Sequence, residues 1–462
     1  MKRFEMKRRG GTVAISLVTA ILLGGCAHNV LSTAGATASL DKEVEAPRKF
    51  VSSFRGGKVD DGWLRTFHDP VLNRLVSEAQ KNNPDLTIAA GRVAKAYANM
   101  RITYSGTMPS LDLRGNYSFR SWEASKKHDR GDISLSLSWE PDLWGRVANE
   151  LQRDSEETIA SIADYEWARQ SLSASTAKAW FLLGADSAIY RFSREVVRIQ
   201  KEAKKILEKR AQIGQGNSRD VHLIGGMLAE AMDTAEEAKI AMQQDSRALE
   251  TLIGRYPSAK LSSRGLKALP PRPRSGVPLE LLNRRADIIA AKYEVAAAFH
   301  NSKAVDLLRL PSIDIRIDAG ADVIQNTMAK LIGGLFMPIF DAGRIDALVA
   351  KASADQQIAI ARYKKTVLSA YREVEEALYN EKRLSERYRH ASTMVREYKK
   401  AYDLTYKNYK IGQGTLLDVL NVQTKWINAR ILETQILKER LVNRVNLHLA
   451  LGGSFESCRK AR

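Results

Sequence analysis

The side chains that most often carry chemistry are scattered in this chain. Its seven histidines, at 28, 68, 128, 222, 300, 390 and 448, are never closer than 40 residues. That excludes a helical HExxH site and any pair of histidines on one helix turn. The sequence "IGQG" occurs twice, at 213–216 and 411–414, but no Lys-Ser/Thr follows either copy, so neither is a phosphate-cradling loop. Acidic residues abound, interleaved with basic ones as in "REVEEALYNEKRLSERYR", the pattern of a solvated helix surface. Two aspartates stand apart, Asp220 and Asp418, because each follows an "IGQG" at the same distance. A carboxylate there serves as a helix N-cap or first-turn residue beside the helix dipole. No catalytic constellation appears, and an enzyme is not expected.

The chain has two cysteines, Cys26 and Cys458. Cys26 follows a basic stretch (Lys2, Arg3, Lys7, Arg8, Arg9), the short apolar run "TVAISLVTAILL" and then "LGGC". This order is that of an export signal, and the apolar run is too short to span a membrane. Small residues before a cysteine resemble the bacterial lipobox, which implies cleavage before Cys26 and fatty acylation of its thiol, palmitate included. That covalent lipid is the one non-protein group expected; no cofactor or metal is. With Cys26 acylated, Cys458 has no partner in its own chain, so no disulfide framework is expected. Five Lys/Arg and one Glu in residues 1–25 account for four of the nineteen formal charges, leaving about +15 on the exported chain. Export and the interleaving of acids with bases argue against nucleic acid as the partner.

These features must be positioned by a repeat. "PSLDLR" (109–114) meets "PSIDIR" (311–316) at an offset of 202, as "NPDL" (83–86) meets "RADI" (285–288). "GR" (145–146) meets "GR" (343–344), and "IGQGNSRDV" (213–221) meets "IGQGTLLDV" (411–419), at 198. Two constant offsets on either side of one change mark a duplicated unit that is four residues shorter in its second copy. The boundaries follow: a signal peptide, 1–25; a lipidated leader, 26–60; a first repeat, 61–256; a linker, 257–277; a second repeat, 278–453; a tail, 454–462. Each repeat reads as a helix, a strand hairpin (109–140 and 311–340), and a long helical hairpin with its tip at 213–220 or 411–418. From Arg344 to Ile411 there is no Gly or Pro, and Leu384, Tyr388, Ala391, Val395, Tyr398 and Tyr402 step by four and three, a heptad seam. The matching span 146–213 is interrupted only by Gly184. Gly214, Gly216, Gly412 and Gly414 are the expected shapers of the tips.

Residues 133–139, "ISLSLSW", alternate Ile133, Leu135, Leu137 and Trp139 with serines. "LDLRGNYSF" (111–119) and "IDIRIDA" (313–319) alternate likewise, whereas "MAKLIGGLFMP" (328–338) alternates poorly. Apolar-out, polar-in strands of about ten residues with aromatics at both ends (Tyr117, Phe119, Trp122 and Trp139) fit an outer-membrane β-barrel. Ile133, Leu135, Leu137 and Trp139 are the lipid-facing candidates, with Ser134, Ser136 and Ser138 toward a wet lumen. Four strands cannot close a barrel, so copies of the chain must pool theirs.

The motifs "GWLRTFHDPVLNRLVSEAQKNNPDL" (62–86), "SWEPDLWGR" (138–146), "IGQGNSRDV" (213–221), "PLELLNRRADI" (278–288), "PIFDAGR" (338–344) and "YKIGQGTLLDVLN" (409–421) together resemble the TolC-like outer-membrane efflux proteins, in particular the lipoprotein branch typified by OprM and NodT. The resemblance implies a mainly α fold with a membrane β contribution. A homotrimer would form a 12-stranded barrel, four strands per chain, continued by a periplasmic α-helical barrel. It implies an outer-membrane location with a periplasmic tunnel, a periplasmic adaptor at the tips, and an inner-membrane transporter of the resistance-nodulation-division (RND) class. The function so implied is passive conduction of drugs or other small molecules. It also assigns a gate: Asp418 falls on one family gate aspartate, Asn421 on the position of a second, and Tyr409 on a tyrosine whose hydrogen bonds hold the helices closed. Gly414 replaces an arginine of that network, and Asp220 is the first-repeat counterpart of Asp418. Ala286 stands where the family usually has proline, and Asp306 and Arg309 precede the third strand where relatives are more apolar. Two other readings remain: a conduit for type I protein secretion, and a lipid-anchored periplasmic coiled-coil adaptor.

Overall fold

A computed structural model describes residues 61–118, 130–322 and 327–455, with a few single positions between 40 and 59. The signal segment, Cys26, most of the leader, Phe119, Trp122 and Cys458 lie outside the described residues. The chain divides into two compact units, and it passes from one to the other several times.

The second unit comprises Ala46–Ala90, Asp164–Ile288 and Val367–Arg462. Helix α1 (Pro70–Asn82) starts where its sequence says it should. Asp69 caps it, accepting from the Val71 and Leu72 amides at 3.0 and 3.4 Å, and Pro70 supplies a preset φ at the first position. The other Asp69 oxygen takes the Trp180 indole N–H at 2.9 Å, so the cap is also a core contact. Helix α2 (Pro84–Ser105) follows, with Asn83 accepting from the Asp85 and Leu86 amides. Leu72, Phe67, Phe181, Leu183, Leu249 and Val445 belong to one buried cluster of this unit.

The long elements match the duplication. Helices α3 (Arg146–Gln212) and α4 (Ser218–Leu252) form the first hairpin. After α5 (Ala286–Asp306), helices α6 (Arg344–Lys410) and α7 (Leu416–Ala450) form the second. The corresponding helices have equal lengths, 67 and 35 residues. A seven-residue period sets their packing: Ile224, Ala231 and Ala238 on α4 are all buried, as are Tyr363, Ala370 and Ala377 on α6. Small residues at every second turn let helices approach closely along a left-handed seam. The expected α6 seam is similar: Ala391 is buried, and Leu384, Tyr388, Val395, Tyr398 and Tyr402 are half-buried.

Gly184 does not interrupt α3. A Cβ there would lie 3.1 Å from the Leu266 side chain and 3.3 Å from Ser263 Oγ, so the glycine lets the linker lie against the helix. The linker is irregular, and buried side chains hold it. Glu250 accepts the Ala259, Lys260 and Leu261 amides at 2.7, 2.7 and 3.1 Å. Burial pushes the Glu250 pKa up, but the backbone donors outweigh it and hold it below the usual range. Arg444, 1% exposed, pairs with Glu381 at 2.6 Å and donates to the Pro270 and Pro271 carbonyls. At α5, where Ala286 replaces the proline of the first repeat, Arg285 pairs with Asp287 at 2.7 Å and with Glu373 at 2.7 Å. The helix forms without the proline.

The first unit contains Gly91–Ala163 and Ile289–Thr366. Its sheet is antiparallel in the order β1 (Ser110–Ser118), β2 (Arg130–Trp139), β3 (Ser312–Asp322) and β4 (Thr327–Phe336). The connection between strands is shorter in the second repeat than in the first, which is where the offset changes. Arg309 bridges Asp306 at 3.4 Å and Asp346 at 2.9 Å, which accounts for the two charges ahead of β3: they fasten its approach to the first turn of α6. Among the described residues no helix is long and apolar enough to cross a membrane.

Candidate functional site: sheet faces and helical tips

The register gives the sheet two unlike faces. Leu113 pairs with Leu135, which pairs with Ala319, which pairs with Ala329. Leu111, Leu137, Ile317 and Leu331 form the next row. Because successive side chains alternate, all these lie on one face. Ile133 and Trp139 share it, so the four lipid-facing candidates fall together. The face is apolar on all four strands and exposed: Leu113 is 72% and Leu335 73% accessible. The opposite face carries Asp112, Arg114, Asn116, Asp132, Ser134, Arg316 and Asp318. Arg316 bonds Ser136 Oγ at 3.0 Å and Asp318 at 3.1 Å, Ser110 and Ser138 share a bond at 2.8 Å, and Asn116 donates to Asp132 at 3.4 Å. Ser136 is buried under these contacts rather than open to a lumen, since the Arg316 side chain comes to its hydroxyl. The weakly patterned segment is strand β4, beginning one residue before the expected stretch. It places Ile332 and Phe336 on the polar side, which is why its alternation fails.

At the other functional region, both long hairpins turn the same way. Gly214 (φ 73°) and Gly412 (φ 77°) adopt the left-handed conformation. Their amides bond the Ala211 and Tyr409 carbonyls at 3.1 Å, while Gln215 and Gln413 reach the Arg210 and Asn408 carbonyls at 2.8 and 2.9 Å. This pair of bonds closes a helix C-terminus, and the next helix starts within a few residues. The second glycines differ. A Cβ on Gly216 would lie 2.8 Å from the Ala211 amide nitrogen, whereas on Gly414 its nearest neighbour would be 3.9 Å away. Gly216 is required by space and Gly414 is not.

Asp418 is the third residue of α7 and completes a capping box. Its carboxylate accepts the Thr415 hydroxyl at 2.7 Å and the Thr415 amide at 3.1 Å, and its own amide donates to Thr415 Oγ1 at 3.1 Å. The Thr415 hydroxyl and amide hold its pKa below the usual carboxylate range. Asp220 is placed otherwise: Asn217 caps α4, and Asp220 meets Arg219 at 3.3 Å. Asn421 is exposed one turn beyond Asp418. Tyr409 receives a hydrogen bond from Arg210 at 3.1 Å, and the guanidinium also lies 5.6 Å from its ring centre. Arg210 lies in the last turn of α3, so this contact ties the first hairpin to the second. Sequence reasoning missed it because the two residues are not repeat equivalents: Ala211 is the counterpart of Tyr409.

Further links run along the same helices. Leu420 of α7 packs with Ala203, Leu207 and Ile224. Arg430 pairs with Glu195 at 3.2 Å and lies 4.1 Å over the Phe192 ring. Trp426 stacks on Tyr402 with centroids 5.6 Å apart. Leu420 and Arg430 thus join α7 to α3, while Trp426 joins α7 to α6.

A sheet with an apolar outer face, whose strands run on in the chain to two long helical hairpins, defines a membrane channel of the outer-membrane type. The sequence profile of the outer membrane efflux protein family matches residues 75–255 and 277–453, and the chain belongs to that family. It is 27% identical to the antibiotic efflux pump outer membrane protein ArpC of Pseudomonas putida over 95% of this chain and 94% of that protein. It is 23% identical to the probable outer membrane lipoprotein SilC of Salmonella typhimurium, over 96% and 98%. Among solved structures, the CmeC outer membrane channel of Campylobacter jejuni superposes with a TM-score of 0.84 at 22% identity, covering 90% of this chain and 94% of that one. The protein is an outer-membrane efflux channel component.

Proposed function

We propose that three copies of this chain form one pore that conducts small molecules passively out of the cell. The observation that carries this reading is the sheet: four strands, one wholly apolar face, and edges β1 and β4 left without partners among the described residues. An open edge in lipid leaves amides unpaired, and the smallest membrane barrels have about eight strands. Three sheets joined edge to edge give a closed barrel of twelve strands, with Ile133, Leu135, Leu137 and Trp139 toward lipid. The helical hairpins continue the pore through the periplasm as a tunnel. Acylation of Cys26 anchors each chain to the outer membrane.

The tips, shaped by Gly214, Gly216, Gly412 and Gly414, are the docking end for a periplasmic adaptor and, through it, an RND-class transporter that supplies the energy. Asp418 and Asn421, one turn apart on α7, line the closed end. Three Asp418 carboxylates rather than six charges ring it, and Asp220 lies beside its own cap. The Arg210–Tyr409 contact holds it shut. No step of catalysis is assigned to any residue. The duplicated hairpins favour a channel over a coiled-coil adaptor.

Native mass spectrometry of the purified membrane-extracted protein tests the assembly. The expected mass is three chains, each beginning at Cys26 and each carrying acyl groups, with the lipid lost in Cys26→Ser. A monomer, or a chain with an unmodified Cys26, contradicts the reading. For the partner, a photo-crosslinker at residue 213 or 411 should capture an adaptor in cells, and one at residue 144 should not.

A further inference from the structure

The seams of the first hairpin are interrupted by two acids. On α4 the buried series Ile224, Ala231, Ala238 reaches Asp245 at its next seven-residue step. On α3 the series Leu207, Gln200, Ser193 reaches Asp186 in the same way, and these three are buried. Leu207 and Ile224 share one buried cluster, and three equal steps in opposite directions from them bring Asp186 and Asp245 level with each other, where their carboxyl groups interact. Oxygen Oδ2 of Asp245 is shielded from solvent and receives no hydrogen bond from any donor among the described residues. Lys438, on α7, is the cation whose charge bears on the pair.

Two ionised carboxylates side by side on a packed seam repel each other, and one unbonded buried oxygen leaves that repulsion uncompensated. A single proton between them removes both problems: the neutral acid donates to its ionised neighbour. We propose that Asp186 and Asp245 share one proton, making the α3–α4 hairpin a proton-responsive joint. With the proton bound, the pair carries one negative charge opposite Lys438. With the proton lost it carries two, so α3 and α4 repel while the attraction to Lys438 of α7 grows. Burial and the Asp186 charge raise Asp245 to about 7, with Lys438 opposing. The sign follows by linkage. A raised carboxyl pKa contributes stability that is complete below the ordinary aspartate value near 4 and is lost as pH rises through the folded value.

The experiment uses the full assembled protein in detergent. Infrared difference spectra between pH 5 and pH 9 should show one protonated-carboxyl C=O band per chain titrating near neutrality. Asp245→Asn replaces the shared proton with a permanent donor and should abolish the band. Lys438→Met removes the opposing cation and should move the midpoint to higher pH. Thermal unfolding should lose stability between pH 5 and 8 in the wild type and lose less in Asp245→Asn. If Asp245→Asn fails to assemble, Asp186→Asn serves for the same readout. A spectrum without a band in this range, or a band that survives both asparagine variants, overturns the proposal. Neither result bears on whether the protein conducts.

Discussion

Removing one hydroxyl at the tip should open the channel measurably. Tyr409→Phe keeps the ring under Arg210 and deletes the oxygen that accepts its hydrogen bond at 3.1 Å. The ring contact at 5.6 Å survives, and at an exposed site is worth about 0.5 kcal/mol. A hydrogen bond to a charged group contributes roughly 1.5–3 kcal/mol when buried, but Arg210 is exposed, which brings the figure to about 1 kcal/mol. One such loss shifts a two-state equilibrium roughly fivefold. If three protomers open together, the losses add to about 3 kcal/mol, roughly 150-fold in the open-to-closed ratio. Open probability in planar bilayers measures this directly, with Arg210→Ala and the double variant completing a cycle. Arg210→Ala should exceed Tyr409→Phe because it also removes the ring contact, and the double variant should add little to it. Open probabilities within twofold of wild type for both single variants, or strictly additive effects, refute the tie.

Three further outcomes follow from the same geometry. Asp418→Asn should weaken the start of α7, seen as faster amide exchange at residues 416–419; because the carboxylate pKa is depressed, the wild-type cap should hold at all pH values above about 4 and fail only below. Gly216→Ala should cost about 1–3 kcal/mol, since its Cβ meets backbone, while Gly414→Ala should stay within about 0.5 kcal/mol, both read by chemical denaturation of the assembled protein. Leu135→Arg places a charge on the apolar face at about 2–4 kcal/mol per strand near the bilayer midplane and should reduce the yield of heat-resistant oligomer, whereas Ser134→Arg on the other face should not.

Where the chemistry was local, the sequence was legible. The repeat, both tips and three of the four strands follow from short motifs whose spacing repeats, because glycine turns and period-two strands are determined by neighbouring residues. Strand β4 was obscured because Ile332 and Phe336 occupy its nominally polar side. Gly184 read as a possible break, yet α3 is continuous there, because the reason for the glycine is the Leu266 side chain some eighty residues away. Asp418 was readable as a first-turn acid, but its capping box needed the Thr415 geometry. The Arg210–Tyr409 tie and the Asp186–Asp245 pair were invisible, since each joins helices whose facing register no local pattern fixes.

Single-channel recording of the purified assembled protein in a planar bilayer asks whether this chain makes a pore. Discrete, uniform openings are expected, rare in the wild type and frequent in Tyr409→Phe. A membrane that stays silent with both proteins, although each runs as a heat-resistant trimer, would contradict a pore.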